Sequence, residues 1–424
     1  MTTSPKLHVV IIGGGAVGTV SAIEALRDGH RVTIVDPHPA GGQQAASYGN
    51  AGWLSSHSVI PPAEPGAWKK VPSYLKDPLG PLAVRWSYLP KALPWLLRYL
   101  WSGWTPAKVE LTAVALRSLL KDAPSLHKTL ADEADCAHLI ERQGVLHVYP
   151  SRAVFEADGL AWGIRKKVGI DWIELSGEEL RQREPELHPR YTFGVLVEEA
   201  GRCRDPGAYV AALSARAVAL GAEIVAAKAT GLTLDAGRLK AVATDRGEIA
   251  CDKAVVAAGA HSKALCATIG DTLPLDSERG YHVMIEHPEV QSRAAFMASD
   301  VKMVINPMNG GLRGAGQVEF AGLEAAPNWK RAEILRKNLL SVFPNLPKSL
   351  PADRIKVWMG HRPSMPDGRP CIGTARATSD VVYAFGHGHV GLVGSARTGR
   401  LVAQLIGGRK PEIALEPFDP RRYF

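Results

Sequence analysis

The stretch that most constrains the fold is LHVVIIGGGAVGTVSAIEALRDGHRVTIVD, residues 7–36. Its first six residues are almost all apolar or β-branched, which predicts a strand buried on both faces. Gly13, Gly15 and Gly18 then form a G-x-G-x-x-G turn, and an apolar stripe predicts a helix behind it. A second strand ends on Asp36. This order of strand, glycine turn, helix, strand and acid predicts a dinucleotide-binding unit.

Each glycine of this turn has a physical role. Gly13 permits the tight turn, Gly15 lets a pyrophosphate approach the backbone, and Gly18 lets the helix pack closely on the strand. The free N–H groups at the start of the helix attract phosphate. Asp36 can accept hydrogen bonds from ribose hydroxyls, which favours FAD or NAD over NADP.

Length and composition fit an enzyme of two domains. The 424 residues, 46% of them hydrophobic, exceed a single ordinary core. The chain has no apolar stretch of transmembrane length and begins almost directly with a strand, so we expect neither a membrane span nor a signal peptide. Five widely spaced cysteines argue against disulfides and metal sites and indicate a reducing cytoplasm. The net charge of +8 suits an anionic cofactor, an acidic substrate or a membrane surface. Because no basic run with interleaved aromatic residues occurs, we expect no nucleic-acid partner.

Residues 222–259 favour FAD over NAD. They predict two short hairpins, turning at DAG and DRG, and a buried strand that leads to a glycine. Such a meander resembles the FAD-binding domains of the glutathione-reductase and D-amino-acid-oxidase type. In the polar stretch GGQQAASYGNAGWLS (41–55), Ser47, Asn50 and the backbone of Ala51 and Gly52 can bond to a flavin diphosphate and ring edge. A solvated surface loop is the alternative interpretation of that stretch.

Seven motifs, spread over nearly the whole chain, resemble the FAD-dependent D-amino-acid dehydrogenases, within the D-amino-acid oxidase and sarcosine oxidase superfamily. They are VVIIGGGAVGTVSAIEALRDGHRVTIVD, ASYGNAGWLS, PLAVRWSYLPKALPWLLRYL, ERGYHVMI, GGLRGAGQVEFAG, HRPSMPDGRPCIG and FGHGHVGLVGSARTGRLVAQLI. The resemblance implies an α/β fold with a Rossmann-type, glutathione-reductase-like FAD-binding domain and an inserted α+β substrate domain built on a mixed sheet. The FAD-binding domain would be discontinuous, formed by residues 1–60, 196–268 and 350–424. The substrate-binding domain would take residues 61–195 and 269–349.

The segment YAFGHGHVGL (383–392) is interpreted through the same resemblance, which places it under the pyrimidine end of the flavin, before a C-terminal helix. Gly386, Gly388 and Gly391 would let the backbone lie against the flat ring. Two histidines at i and i+2, with no nearby acid or cysteine, make a poor metal site, so we expect a flavin-binding turn and no metal. Either His387 or His389 can still face the substrate. The candidate cofactor-binding residues are Gly13, Gly15, Ala16, Val17, Gly18, Asp36, Pro37, Ser47, Asn50, Ala51, Gly52, Leu54, Ala229, Ala258, Gly259, Gly386, His387, Gly388, His389, Val390, Gly391 and Leu392.

The implied reaction is transfer of a hydride from the amine-bearing carbon of an amino acid to flavin N5, followed by hydrolysis of the imine to a 2-oxo acid and ammonia. The substrate carboxylate needs a cation or hydrogen-bond donors, and arginine and tyrosine supply both. We predict Tyr281, Arg313 and His389 as catalytic residues and Arg362 as a further carboxylate-binding candidate; a structural ion pair or strand end is the alternative for each. The other two histidines of this region are expected to be satisfied structural groups: His282 and His361.

The stretch YLPKALPWLLRYLWSGW (88–104) mixes tryptophan, leucine and basic residues and is too short to span a bilayer. This composition suits the membrane interface, although a pair of core helices would also explain it. The resemblance implies a peripheral position on the inner face of the cytoplasmic membrane, with quinone or another respiratory-chain component as electron acceptor.

Two alternatives stay open. The segments RGYH and FGHGHVGL depart from the wording commonest in this family, so the substrate could be a secondary or cyclic amine such as D-hydroxyproline, sarcosine or a proline-like ring. The chain could also be a flavin-containing subunit of a heteromeric dehydrogenase.

Overall fold

The computed structural model of the chain describes residues 6–70, 79–80 and 82–424. Residues 1–5, 71–78 and 81, which fall within the predicted domains, lie outside the described residues. The helices are α1 (Ala16–Arg27), α2 (Leu89–Ser102), α3 (Pro106–Leu120), α4 (Ala123–Glu133), α5 (Arg152–Ala157), α6 (Gly159–Lys167), α7 (Gly177–Arg183), α8 (Pro206–Ala219), α9 (Ser262–Ala267), α10 (Lys330–Val342) and α11 (Gly391–Ile406). The strands are β1 (His8–Ile12), β2 (Arg31–Val35), β3 (Trp53–Leu54), β4 (Leu82–Val84), β5 (Ile140–Glu141), β6 (Val145–Tyr149), β7 (Ile173–Ser176), β8 (Phe193–Val197), β9 (Gly201–Cys203), β10 (Glu223–Val225), β11 (Ala229–Asp235), β12 (Arg238–Thr244), β13 (Gly247–Ala250), β14 (Lys253–Val256), β15 (Asp276–Glu286), β16 (Phe296–Ala298), β17 (Met303–Met308), β18 (Gly311–Phe320), β19 (Ile355–Ser364), β20 (Cys371–Thr374) and β21 (Val381–Phe385).

A six-stranded sheet with the order β10-β2-β1-β14-β21-β20 contains the N-terminal motif. Its first five strands are parallel, and β20 pairs antiparallel with β21. Apolar residues fill the central strands because both faces are buried. Helices α1 and α11 pack against each other closely, since a Cβ atom on Gly399 would lie 2.6 Å from Cγ1 of Val20. The predicted strand, turn, helix and strand are therefore present.

The predicted meander is confirmed as a three-stranded antiparallel sheet, β11-β12-β13, which leads directly into β14. The two hairpin turns carry backbone in the left-handed region, with φ of 77° at Gly237 and 118° at Gly247. Glycine tolerates this conformation because it has no Cβ atom. The meander thus returns the chain to the centre of the parallel sheet, beside β1.

A nine-stranded mixed sheet forms the second layer, with β19-β15-β18-β17-β16-β6-β8-β7 in order and β4 paired to β18. Successive side chains of a strand point to opposite faces, so the two faces of this sheet differ. One face packs on α10 around Tyr281, Val283 and Leu312. Polar side chains, described below, lie on the other face. The mixed α/β fold is confirmed.

The boundaries of the two domains stay a prediction. Strand β19, which lies in the segment 350–424 assigned to the FAD-binding domain, pairs with β15 of the large sheet. None of the helices in the described parts of the chain has the length and apolar character needed to cross a bilayer.

Candidate functional site

The N-terminal glycine turn has the geometry of a phosphate cradle. Gly13 has φ of 110°, and a Cβ atom there would lie 2.5 Å from the carbonyl oxygen of Ala257. A Cβ atom on Gly18 would lie 1.9 Å from the Gly13 oxygen, so both positions require glycine. Around Gly15, by contrast, only the Ser47 hydroxyl comes within 4 Å of an added Cβ atom, at 3.7 Å. Helix α1 begins at Ala16 with no side-chain cap, so its first N–H groups point into this open space.

Asp36 anchors the turn from the end of β2. One of its carboxylate oxygens accepts a hydrogen bond from the Gly14 N–H at 2.7 Å, and the other accepts from the His38 N–H at 2.9 Å. Each oxygen keeps a further lone pair, so the carboxylate can still accept from a ribose hydroxyl. Pro37 separates Asp36 from His38 and follows the strand at once.

The loop at residues 47–54 is held by the large sheet. Gly52 has φ of 74°, and its N–H donates to the Asn50 side chain at 2.8 Å. The Asn306 amide donates to the Ala51 oxygen at 2.8 Å, and Arg313 Nη1 donates to the Asn50 oxygen at 2.7 Å. Because Asn306 and Arg313 are cross-strand neighbours on β17 and β18, one face of the sheet positions the whole loop. Leu54 ends the loop in β3 and is fully buried.

Arg313 is thus engaged with backbone. The same Nη1 also approaches the Tyr48 oxygen at 3.2 Å, and burial lowers the pKa of the guanidinium to about 10. Asn306, which sequence reasoning missed, is fully buried and holds the loop from the adjacent strand. The sequence hardly indicates this role of Asn306, because a single asparagine within the apolar strand MVINPM can have many other roles.

The residues predicted after β14 lie beside the N-terminal turn. Ala258 and Gly259 follow the strand directly, and Gly259 has φ of 56° in a short 3-10 turn. The Ala257 N–H donates to the Ile12 oxygen at 2.9 Å, which holds this turn next to the end of β1. Ala229 is the first residue of β11 and pairs with Thr244 of the meander.

The C-terminal turn leads from β21 into α11 as expected. Gly386 and Gly388 have φ of 83° and 52°, and the residues Gly388–Val390 form a 3-10 turn. Helix α11 then begins at Gly391 without a side-chain cap, and Leu392 is buried. Its first N–H groups are therefore available to an anionic group at this end of the helix.

The two histidines of this turn have different surroundings. His387 is buried, and its Nε2 lies 3.0 Å from the Thr398 hydroxyl of α11. His389 is 43% exposed, and its Nε2 lies 3.1 Å from Oε2 of Glu278, which is almost wholly buried on β15. The Ser364 hydroxyl donates to the same oxygen at 2.5 Å. Burial raises the pKa of Glu278.

Arg362 lies on the same face of the sheet as Glu278, its cross-strand neighbour. The guanidinium covers Gly280, since a Cβ atom there would lie 2.2 Å from its Cζ atom. Nη1 donates to the Gln317 oxygen at 3.2 Å, in a β-bulge where Gln317 has φ of 63°. Neither Nε nor Nη2 of Arg362 donates to any of the described residues. The edge of the planar guanidinium that carries these two donors is therefore free to bind a ligand.

Tyr281 lies on the opposite face. Its hydroxyl donates to Glu319 at 2.6 Å and accepts from the Asn328 N–H at 3.0 Å, within the core beneath α10. His361 also occupies that face, with Nδ1 2.8 Å from the Ser277 hydroxyl. The structure therefore brings Arg313, Arg362 and His389 to one side of the sheet and does not bring Tyr281 there. The sequence could have shown that Tyr281 lies on the other face. Side chains alternate between the two faces along β15, and Glu278, Gly280 and His282 alternate with Tyr281.

His282 and Trp358 continue this polar face beyond Arg362. Their rings stack, with centroids 5.2 Å apart, and Trp358 covers Gly49 and Gly360, where a Cβ atom would lie 2.0 Å from the indole. His282 Nδ1 contacts the Gly49 oxygen at 3.2 Å. His282 is thus a satisfied polar group that joins the sheet to the loop at residues 47–54.

A cavity of about 180 Å³ opens beside the C-terminal turn. Its charged or titratable lining consists of Tyr99, Arg165, Glu278, His387 and His389. Trp95, Met365 and Val390 are among its apolar lining. A mixed lining of this kind suits a small polar molecule with an apolar part.

The described residues fit FAD at three places: an open glycine cradle at an uncapped helix start, a clamped loop, and a second uncapped helix start behind a glycine turn. Comparison with known proteins gives the same answer. Residues 8–405 match the family model DAO, described as FAD dependent oxidoreductase.

Relatives agree over almost the whole chain. The chain is 71% identical, over 98% of its length and 99% of the relative's, to a D-amino-acid oxidase of Bradyrhizobium diazoefficiens. It is 31% identical, over 98% of its length and 99% of the relative's, to a D-amino acid dehydrogenase of Paramagnetospirillum magneticum. The crystal structure of glycine oxidase from Geobacillus kaustophilus has the same fold, with a TM-score of 0.73 at 21% identity and 99% coverage of both chains. The chain therefore belongs to the DAO family of FAD dependent oxidoreductases, which confirms the predicted family and cofactor.

Proposed function

We propose that this FAD enzyme oxidises D-amino acids to 2-oxo acids and ammonia. The relatives at 71% and 31% identity, named D-amino-acid oxidase and D-amino acid dehydrogenase, support this substrate class. When bound, FAD supplies the acceptor for the hydride that leaves the α-carbon. The residues of the chain have to hold the amino acid, orient that C–H bond and exclude competing geometries.

The open edge of the Arg362 guanidinium carries this proposal. Nε and Nη2 form a planar pair of donors that matches the two oxygens of a carboxylate. Burial lowers the pKa of the group and the nearby Glu278 raises it, and a bound carboxylate would further stabilise the cation. Gly280 underneath and the Gln317 oxygen at one side fix the plane of the fork.

We also infer where the cofactor lies. The diphosphate binds at the turn of Gly13, Gly15 and Gly18, the ribose at Asp36, and the flavin between the loop at residues 47–54 and the turn at residues 386–392. Arg313 then acts on the cofactor through the loop that it clamps, while Arg362 binds the substrate. This arrangement would put the site between the six-stranded and the nine-stranded sheet.

Anaerobic reduction of the flavin tests the proposal. A panel of D-amino acids should bleach the visible absorbance of the purified holoenzyme, and the L-enantiomers should not. Arg362→Lys keeps the charge but loses the fork, so we expect KM to rise by about 10- to 100-fold, the range for a hydrogen bond to a charged group. Arg336→Lys on the exposed side of α10 is the matched control and should leave KM unchanged.

Secondary and cyclic amines are the second candidate class, retained because the sequence of the turn at residues 386–392 departs from the family's common form. The same bleaching assay with sarcosine, D-proline and D-hydroxyproline separates the classes. Reduction by these amines alone would replace the proposed substrate, and a chain that no amine reduces would favour a subunit that needs a partner.

We propose, further, that the enzyme works at the inner surface of the cytoplasmic membrane and passes electrons to a quinone. Within α2 only Ala92 and Trp95 are buried. Leu93, Leu97 and Trp101 are exposed, and basic side chains accompany them along the helix. Exposed tryptophan and leucine with lysine and arginine suit an anionic bilayer interface.

Vesicle flotation and acceptor assays test this part. The protein should float with vesicles of anionic lipid, and Trp101→Glu should abolish flotation, whereas Val218→Glu, also at an exposed apolar position, should not. With substrate present, quinone reduction should exceed oxygen consumption. The opposite order would make oxygen the acceptor, in line with the name of the 71% identical relative.

A further inference from the structure

We propose that Glu278 binds the α-amino group of the substrate and takes its proton, with His389 and Ser364 as positioning residues. The proposal rests on the proposed function, since it needs an amino acid whose carboxylate lies on Arg362. It adds a second charged group to the site: Glu278 is the first residue of the motif ERGYHVMI but was not among the predicted site residues.

The two oxygens of Glu278 are not equivalent. Oε2 accepts from the Ser364 hydroxyl and contacts His389 Nε2, so its lone pairs are used. Oε1 accepts no hydrogen bond from the described residues, although Glu278 lines the cavity beside the C-terminal turn. A carboxylate oxygen next to a cavity, without a donor, is a binding position for an N–H group.

The spacing of Glu278 and Arg362 suits an amino acid. They are directly opposite each other on β15 and β19, on one face, and no salt bridge within 4.0 Å joins them. Side chains opposite each other in an antiparallel pair have Cβ atoms about 5 Å apart. The carboxylate and amino groups of an amino acid are separated by a single carbon, so one molecule can reach both residues. A positive and a negative side chain in this arrangement complement a zwitterion.

Several charged or titratable groups face Glu278 and set its proton affinity. Burial raises the pKa, the Arg362 guanidinium lowers it, and Asp276 on the same strand raises it. Nε2 of His389 lies 3.1 Å from the carboxylate and can donate an N–H to it. The remaining titratable groups at the cavity are Arg165, Tyr99 and His387.

The proton step balances without any further reagent. An N–H bond of the substrate ammonium breaks, an O–H bond forms on Oε1 of Glu278, and the neutral amine keeps its lone pair. That lone pair would assist departure of the hydride from the α-carbon, and bound FAD would supply the two-electron acceptor. Addition of water to the resulting iminium ion would release ammonium and the 2-oxo acid. The proton returns from Glu278 to solvent before the next turnover.

Two ligands that differ only in the amine provide the test. 2-Aminoisobutyrate has a carboxylate and an amine but no α-hydrogen, so it binds without being oxidised, and isobutyrate lacks the amine. Their Kd values are measured from the change in flavin absorbance on titration of the holoenzyme. We expect the wild type to bind 2-aminoisobutyrate at least tenfold more tightly than isobutyrate.

In Glu278→Gln this preference should fall to less than twofold, through loss of affinity for 2-aminoisobutyrate alone, while Glu278→Asp should retain part of it. Glu319→Gln, a buried carboxylate on the other face of the same sheet, is the control and should keep the preference. The acid limb of kcat/KM for D-alanine should move to higher pH in Glu278→Gln, because solvent must then deprotonate the amine.

Different outcomes overturn different proposals. A wild type with no preference between the two ligands, or a Gln variant that keeps the full preference, would overturn the role of Glu278. A wild type that binds neither ligand and is not bleached by any D-amino acid would refute the proposed function instead. Equal weakening of both ligands in Glu278→Gln would show that the residue supports Arg362 and does not bind the amine.

Discussion

Replacing Gly280 by alanine tests the position of Arg362 without changing any charged group. The added Cβ atom would lie 2.2 Å from Cζ of the guanidinium. Carbon atoms in contact stay about 3.5 Å apart or more, so the guanidinium must move by about 1.3 Å. A displacement of about 1 Å in a substrate-positioning group can cost about 100-fold in rate, and we expect a loss of that order in kcat/KM for D-amino acids.

The stability and the FAD content of the Gly280→Ala variant should not fall together with its kcat/KM. The displaced group is the end of a flexible side chain, and alanine in a strand interior is favoured over glycine by about 0.5–1 kcal/mol. The assay is steady-state kinetics with a dye acceptor, together with thermal unfolding and the ratio of FAD to protein. Gly163→Ala is the control, because in α6 no described atom outside the helix's own backbone and the adjacent residues lies within 4 Å of the added Cβ atom. A Gly280→Ala enzyme with kcat/KM within threefold of the wild type and full FAD content would refute the placement of the carboxylate on Arg362.

Three further predictions concern residues around the site. Arg313→Lys should lower the ratio of FAD to purified protein severalfold, because lysine cannot reproduce the donor geometry that clamps the loop; unchanged FAD content would contradict this role. Tyr281→Phe should lower the free energy of unfolding by about 1–3 kcal/mol, since Oε2 of Glu319 loses the Tyr281 hydroxyl while Oε1 keeps Arg85, yet kcat/KM should stay the same. The pKa of His147 is lowered to about 3, chiefly by burial, and His57 beside it is lowered too. Below pH 6.5 the unfolded chain therefore binds more protons than the folded one, and stability should fall by about 1.4 kcal/mol per pH unit for each histidine. Urea unfolding between pH 7 and pH 5 measures this slope, which should be shallower in His147→Asn.

The two glycine turns of the candidate cofactor site were largely predictable from the sequence, because their glycines have local causes. The turn that begins at Gly13 and the turn that begins at Gly386 each need backbone that only glycine adopts readily, and the strand and helix patterns on both sides are strong. The same holds for the meander, where each hairpin is encoded within its own turn.

The substrate half depends on which face of a strand a residue occupies, and a single sequence gives that poorly. Tyr281 and Glu278 are three residues apart on β15, yet they point to opposite sides of the sheet. Helix α10 decides which face of the sheet is buried in the core, because its apolar residues pack on the face that carries Tyr281. Glu278 attracted no attention in the sequence because an acid inside a strand is ordinarily solvated, and only the fold brings Ser364 and His389 to it.

The isolated bridge between Ser364 and His387 links the end of β19 to the turn before α11. If substrate and flavin lie where we propose, they therefore contact one shared stretch of backbone. Selecting variants for new side-chain preference at this junction should shift the reduction potential as well, and the two traits cannot be engineered one at a time there. Changes introduced at the far edge of the large sheet, around β7, should be free of this coupling.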